Sequence, residues 1–406
     1  MNLGTSVSPS AEDSAPATSR GCEWKLLLTA SCADSPEGLD RTRSLLDQEI
    51  DWEEVLRLAD HHGTCSLLYQ NLSQLQDIVP SPVLTTLRER HESNVRKSLF
   101  LTRELIRIGH RLDALGIEVI PYKGLVLSEA YYGDMALRQS GDIDLFVRRR
   151  DVPRIKKVVC ELGYTTRVPI AENAQEAYFD SGYECTFDSP MGCNVLELQW
   201  ALQPRFYSVD FNMNGLFARA VNVTVAGRRV KTPSAEDLLL VLSIHAAKHV
   251  WGRLIWLCDI AQILKREKLN WDWVQSRARE LGIERILHVT LLLTERFLTT
   301  VIPASIESSI LSNRAARAFA DEVANGVMRG DSYAGREVHY FRLMMRLRER
   351  RLDRVRFFTR LAFTPGPGEW KAIRLPRILF PLYRVVRLAR LASRFARDTE
   401  QKIAHH

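Results

Sequence analysis

The chain has 406 residues, 46% of them apolar and 26% charged, which is the composition of an ordinary globular protein of two or three domains with ample length for a core. No apolar run approaches the ~18 residues of a membrane-spanning helix, and the first 20 residues lack the apolar stretch of a signal peptide. The net charge of +7 is uneven: residues 341–397 hold 16 Lys and Arg against 3 Asp and Glu, so the remainder of the chain is net −6. Seven scattered cysteines without a Cys-x-x-Cys spacing argue against structural zinc and a disulfide framework, and fit reduced thiols in the cytoplasm.

Residues 1–38, opening on Ser, Ala, Thr and Pro, are expected to be a disordered tail. Residues 39–116 read as a helical region, with Asp40 or Asp51 as N-cap. Trp52, Val55, Leu56 and Leu58 mark a packed face that Leu67, Leu68, Leu72 and Leu75 continue. His61 and His62 read as surface or capping residues. After Pro80 and Pro82 a long helix is expected over 83–115, with Leu101, Leu105, Ile108 and Leu112 at helical spacing and a stop near Gly116.

Residues 117–233 have α/β character. A short strand from Ile117 leads into Tyr122-Lys123-Gly124 and then a helix to about Tyr132. A strand, a glycine turn and a helix start present free N–H groups to an anion, and Lys123 adds a cation, so a phosphate group is the expected ligand. Arg138, in the loop that follows, can clamp a phosphate or pair with an aspartate. Ser140-Gly141 allows a close approach to the next strand. Asp142 and Asp144 are two apart within Gly-Asp-Ile-Asp-Leu-Phe-Val, so a strand points both to one face. Two carboxylates side by side repel, and hard oxygen donors on a rigid strand suit Mg²⁺.

Asp151 then caps a helix to about Leu162 that Gly163 ends, with Val152, Ile155, Val158 and Val159 as its buried stripe. Residues 182–188 and 193–200 read as a hairpin. Glu197, between Leu196 and Leu198, needs a partner, and Glu184 on the other arm competes with it as a third carboxylate. A small hairpin (221–225 and 228–231) precedes Ser234, the N-cap of an all-helical region over 234–362. His245, Lys248 and His249 share one helical face. No Glu follows the first His as zinc proteases require, and packing on Trp251 and Trp256, with Asp259 orienting one ring, is the alternative. The arm over 363–406 carries Arg374, Arg377, Arg384, Arg387, Arg390, Arg394 and Arg397, mostly on one helical face. It can lie on an anionic membrane, bind nucleic acid, or pair with the acidic body.

Ile-Pro-Tyr-Lys-Gly-Leu (120–125), Arg138, Gly-Asp-Ile-Asp-Leu-Phe-Val (141–147), Leu-Glu-Leu-Gln-Trp (196–200) and His245-Ala-Ala-Lys-His249 together resemble the uncharacterised bacterial nucleotidyltransferases of the polymerase-β-type superfamily, over roughly residues 45–300. The resemblance implies an α+β fold, a small mixed sheet flanked by helices and followed by an all-helical domain. It implies catalytic and metal-binding roles for Asp142, Asp144 and Glu197, with two Mg²⁺ ions. Lys123, Gly124, Arg138, Ser140, Gly141 and Lys248 would hold a nucleoside triphosphate (NTP). The reaction implied moves a nucleoside monophosphate to an acceptor hydroxyl on a small molecule, a sugar, RNA or a protein. The chain departs from better-known members in having Lys123-Gly124 for Gly-Ser and Gln199 where His is common. Those departures leave a second reading open, a catalytically silent adaptor working through its basic arm, cytoplasmic or peripheral at a membrane.

Overall fold

The computed structural model describes residues 20–32, 36–170, 174–331, 337–365, 369, 373 and 375–403. The architecture is mixed α and β, with one small sheet and many helices. Five strands, β1 (Val119–Pro121), β2 (Asp142–Val147), β3 (Thr165–Thr166), β4 (Glu184–Asp188) and β5 (Val195–Gln199), pair in the order β1-β2-β5-β4-β3. Only β2 and β5 run parallel; the other pairs are antiparallel. A two-stranded ribbon, β6 (Val221–Val225) with β7 (Arg228–Thr232), follows.

Alternation gives the sheet two unlike faces. Ile143, Leu145 and Val147 of β2 join Leu196 and Leu198 of β5 and Phe187 of β4 in one buried cluster. The helix Val152–Glu161 adds Val152, Ile155, Val158 and Val159 to that cluster. The intervening residues, Asp142, Asp144, Glu197, Gln199 and Glu184, project from the opposite face.

The helix Ser81–Asp113 links this layer to the rest of the molecule. Its 33 residues give a length of about 50 Å. Val83 and Leu87 lie in the helical core, while Leu101, Leu105, Ile108 and Leu112 lie against the sheet. The helices before the sheet and those after it share one apolar core, running from Trp24 through Leu239, Leu257 and Leu291 to Leu361.

Several local expectations are met by specific bonds. Asp51 accepts from the Glu54 N–H at 3.1 Å and starts the helix Trp52–His62, whereas Asp40 lies inside the helix Pro36–Leu45. Ser234 accepts from the Asp237 N–H at 3.3 Å at the start of Ala235–Lys248.

Two expectations need correction. Residues 20–32 and 36–38 are not part of a disordered tail: Arg20–Ala30 is a helix, with Trp24, Leu26, Leu27 and Ala30 buried, and Pro36 opens another. The apolar Leu-Leu-Leu run at 26–28 is what the bias of the preceding segment obscured; residues 1–19 and 33–35 lie outside the described residues. Among the described side chains, the arginines of the last helix, Tyr383–Ile403, do not all face solvent either. Arg387 is buried against Glu369, Arg384 is exposed, and Val385 and Leu388 are exposed beside it. Arg374 and the side chains of Arg377, Arg394 and Arg397 lie outside the described residues.

Candidate active site

The parallel pairing of β2 with β5 sets Asp144 opposite Glu197 and Asp142 opposite Val195. Adjacent strands lie ~4.8 Å apart, so the Asp144 and Glu197 carboxylates start from neighbouring backbones on the same polar face. Glu184 is one pair further along, opposite Gln199, and its carboxylate accepts from the Tyr183 hydroxyl at 2.5 Å. Register therefore puts Glu197, not Glu184, beside Asp144.

Gln199 joins the acids. Its Nε2 donates to Glu197 Oε2 at 2.9 Å and reaches Asp144 Oδ1 at 3.5 Å. Its Oε1 accepts from the buried Tyr122 hydroxyl at 2.8 Å. The Tyr122 ring stacks on Phe146 with centroids 3.8 Å apart, which fixes the hydroxyl's approach. Tyr122 and the bridging use of Gln199 had no signal in the sequence, since a tyrosine after a short strand reads as core.

Lys123 arrives from the neighbouring strand. β1 is antiparallel to β2, with Pro121 opposite Leu145, so the chain leaving β1 passes the start of β2. Lys123 Nζ bonds Asp144 Oδ1 at 3.1 Å, with both side chains largely buried. Gly124 then turns at φ +58 and ψ −120, a conformation side-chain-bearing residues avoid. A Cβ there would lie 2.5 Å from Ser140 Oγ, so a larger residue would also have to turn that hydroxyl aside. The helix it opens is one α-turn, Leu125–Leu127, and one π-helical turn, Ser128–Tyr132. Ser140 Oγ also faces the Asp142 carbonyl at 3.4 Å. Gly141 is exposed, with open space where a Cβ would sit.

Crowded carboxylates dominate the electrostatics. Asp144 repels the Asp142 carboxylate, and burial adds to this, raising its pKa to about 6. Burial, then Asp144 and Glu184, push Glu197 up to about 8. Burial alone would favour neutral Lys123, but Asp144, Tyr122, Glu197 and Asp142 outweigh it and hold its pKa well above the ordinary lysine value. Among the described residues, no three acidic, histidine or cysteine side chains are gathered closely enough to hold a metal ion as they stand.

The two remaining cationic candidates bond groups other than the three carboxylates. Arg138 is buried and grips Asp259 with two bonds, Nε to Oδ1 at 2.7 Å and Nη2 to Oδ2 at 2.8 Å. The Tyr132 hydroxyl donates to the same Asp259 Oδ1 at 2.9 Å. Of the two uses open to Arg138, pairing with an aspartate is the one seen. It ties the loop before β2 to the helix Leu254–Arg266. Lys248 Nζ bonds the Tyr183 hydroxyl at 3.2 Å and lies over that ring. His245 and His249 pack on Trp256, each with ring centroids 5.2 Å away. Trp251 points elsewhere, to Thr290 and Phe319, and Asp259 is taken by Arg138 rather than by either histidine. Burial, with Lys123 and His249 behind it, keeps the His245 ring neutral, its pKa well below the usual value.

A search of curated proteins and one of solved structures each find no match. The family model described as "Uncharacterised nucleotidyltransferase" matches residues 48–299, more than half of the chain, from the helix Trp52–His62 through the whole sheet to the helix Glu284–Leu298. With its paired acidic strands, its lysine–glycine turn and the helices that close on them all inside that span, the chain belongs to the uncharacterised nucleotidyltransferase family.

Proposed function

We propose that this nucleotidyltransferase is Mg²⁺-dependent and moves a nucleoside monophosphate from an NTP to an acceptor hydroxyl, releasing pyrophosphate. One observation carries the proposal: Asp144 faces Glu197 across β2 and β5, with Asp142 on the same side and Lys123 entering beside a glycine turn.

The donor set suits a hard cation. Lys123 bonds Asp144, with Asp142 and Glu197 on the same face of the sheet; repulsion from Asp144 leads in raising the Asp142 pKa, and burial, then Asp144, in raising that of Glu197. Fully ionised, the group of four is net −2, which one Mg²⁺ balances; a second would come with the triphosphate's own charge. Asp142, Asp144 and Glu197 would hold the metal, whose charge, when bound, offsets the negative charge gathering on the transferring phosphoryl group. Lys123, beside the Gly124 turn, is a cation placed to meet the phosphates. Glu197, on the strand beside Asp144, is the group placed to help activate the acceptor hydroxyl. Arg138 does not touch substrate in this scheme; it holds the loop from Gly133 to Gly141 in place.

The test is to incubate the protein with Mg²⁺ and each labelled NTP, alone and with cell extract, and to follow binding and label transfer. Mg²⁺-dependent binding that is lost in the Asp142→Ala/Asp144→Ala double variant is the expected result. Absence of binding, or binding indifferent to the double variant, overturns the proposal. Gln199 and Lys123 already bond Asp144 and Glu197, which favours one competing reading, a protein that binds nucleotide without turning it over. Binding with no transferred label in any extract would establish that reading instead.

A further inference from the structure

The helix Arg351–Phe363 is apolar on two opposite sides. Phe357 and Leu361, four apart, face the core and are buried. On the other side Leu352, Val355, Phe358 and Phe363 are 50–69% exposed. A helix serving only as a lid on a core is polar on its outer face, so this outer stripe needs an explanation beyond folding. The helix that packs against it, Tyr383–Ile403, repeats the pattern. There Tyr383 and Leu391 are buried, while Val385 and Leu388 are 59% and 42% exposed. Two neighbouring helices with unpartnered apolar faces exceed the scatter of single exposed side chains that a monomer's surface normally shows.

The charge around these faces selects the partner. Residues 341–397 carry a surplus of 13 positive charges, nearly all arginine. Some are used internally, as in Arg346 with Glu322, Arg360 with Asp210 and Arg387 with Glu369. Arg351 and Arg384 lie in the first turns of the two helices, next to Leu352 and Val385, and both are exposed. Apolar side chains protruding between arginines match a surface that is oily at shallow depth and anionic above it. Nucleic acid would satisfy the arginines but not Leu352, Val355 and Phe358. No helix among the described residues is long and apolar enough to cross a bilayer, so the contact would be interfacial.

We infer that the outer faces of the helices Arg351–Phe363 and Tyr383–Ile403 dock this protein on an anionic lipid bilayer. The Phe358 ring and the Leu352 and Val355 side chains insert at the headgroup–acyl boundary, and the flanking arginines meet the lipid phosphates and carboxylates. The inference does not depend on the proposed reaction, because none of these residues touches the carboxylate site.

Vesicle flotation of the full chain tests it, with phosphatidylcholine alone and with added phosphatidylserine. Binding is expected to the anionic vesicles and to weaken with salt. Leu352→Ser/Val355→Ser/Phe358→Ser should lose roughly tenfold or more in partitioning, since three side chains no longer leave water. Arg351→Gln and Arg384→Gln should each lose about fivefold. Because these side chains are exposed, the fold should survive, which an unchanged circular dichroism melt verifies. In a separate variant, Phe358→Trp, the indole emission should shift to the blue on anionic vesicles only. Three results would overturn the inference. One is no vesicle binding, with the introduced indole still in water. Another is binding indifferent to the serine variant but competed away by single-stranded RNA, which would make the arm a nucleic-acid binder. The third is a dimer in solution that the serine variant dissociates, which would place a second copy on this face.

Discussion

Gln199 shows how much one side chain can decide. Its amide bonds Asp144, Glu197 and the Tyr122 hydroxyl at once, linking the two acids that strand register sets side by side. Gln199→Leu leaves three buried polar groups short of a partner, and should cost about 1–3 kcal/mol in urea unfolding. Asp144→Asn removes the carboxylate that Lys123 and Gln199 share; on the proposed Mg²⁺-dependent reaction, label transfer should fall by about a thousandfold or more, since metal-based charge stabilisation is worth several kcal/mol. Gly124→Ala strains a turn at φ +58 and forces Ser140 aside. About 1–3 kcal/mol of stability should go with it, along with nucleotide binding, measured by thermal melting and by titration. The acidic pair was legible because strand alternation is local; the Gln199 bridge was not, because it spans three strands.

Among the elements, the loop before β2 is the informative one. A loop from Gly133 to Gly141 has no ladder to hold it, and Arg138 supplies the hold by reaching Asp259, 121 residues later. Removing one member of a buried pair strands the other charge. Arg138→Leu should therefore destabilise the fold by about 3–5 kcal/mol in denaturant melts. The double variant Arg138→Met/Asp259→Leu should recover part of that loss, short of the Tyr132 hydroxyl it leaves unpaired. If the double variant is no better than the single, the pair is not what holds the loop. Sequence alone allowed an aspartate partner for Arg138 but not which one. A guanidinium near an Asp-x-Asp strand has several acids within reach, and only the packing of Leu254–Arg266 against the turn at Ser128–Tyr132 chooses Asp259.

Across the whole molecule, helices that precede the sheet in the chain and helices that follow it share one core, and His62 lies at their seam. Its Nδ1 accepts the Leu254 N–H at 3.2 Å, joining the helix Trp52–His62 to the helix Leu254–Arg266. Burial, with His61 and Arg253 adding to it, lowers the His62 pKa to about 3. The unfolded chain takes up this proton near pH 6.5 and the folded chain only near 3, so stability is full above 6.5 and falls as pH drops. By pH 5 this histidine alone should cost about 2 kcal/mol. His62→Gln keeps an acceptor without the titration, so its melting temperature should fall less between pH 7 and pH 5 than that of the unaltered protein. An equal fall would show that His62 already takes up a proton in the folded state.

What the amino-acid order determined by itself is whatever depends on near neighbours along the chain: the period of two that turns Asp142 and Asp144 to one face, the caps at Asp51 and Ser234, the glycine at the Lys123 turn, and enough motif to indicate the family. Tertiary structure alone decided which groups meet. It placed Glu197 rather than Glu184 opposite Asp144 and set Lys123 on that aspartate. It drew Arg138 away to Asp259 and turned part of the arginine stripe inward, leaving apolar side chains facing out. Strand register and helix packing are set by the burial of the whole apolar surface at once, and no short window of residues contains that balance.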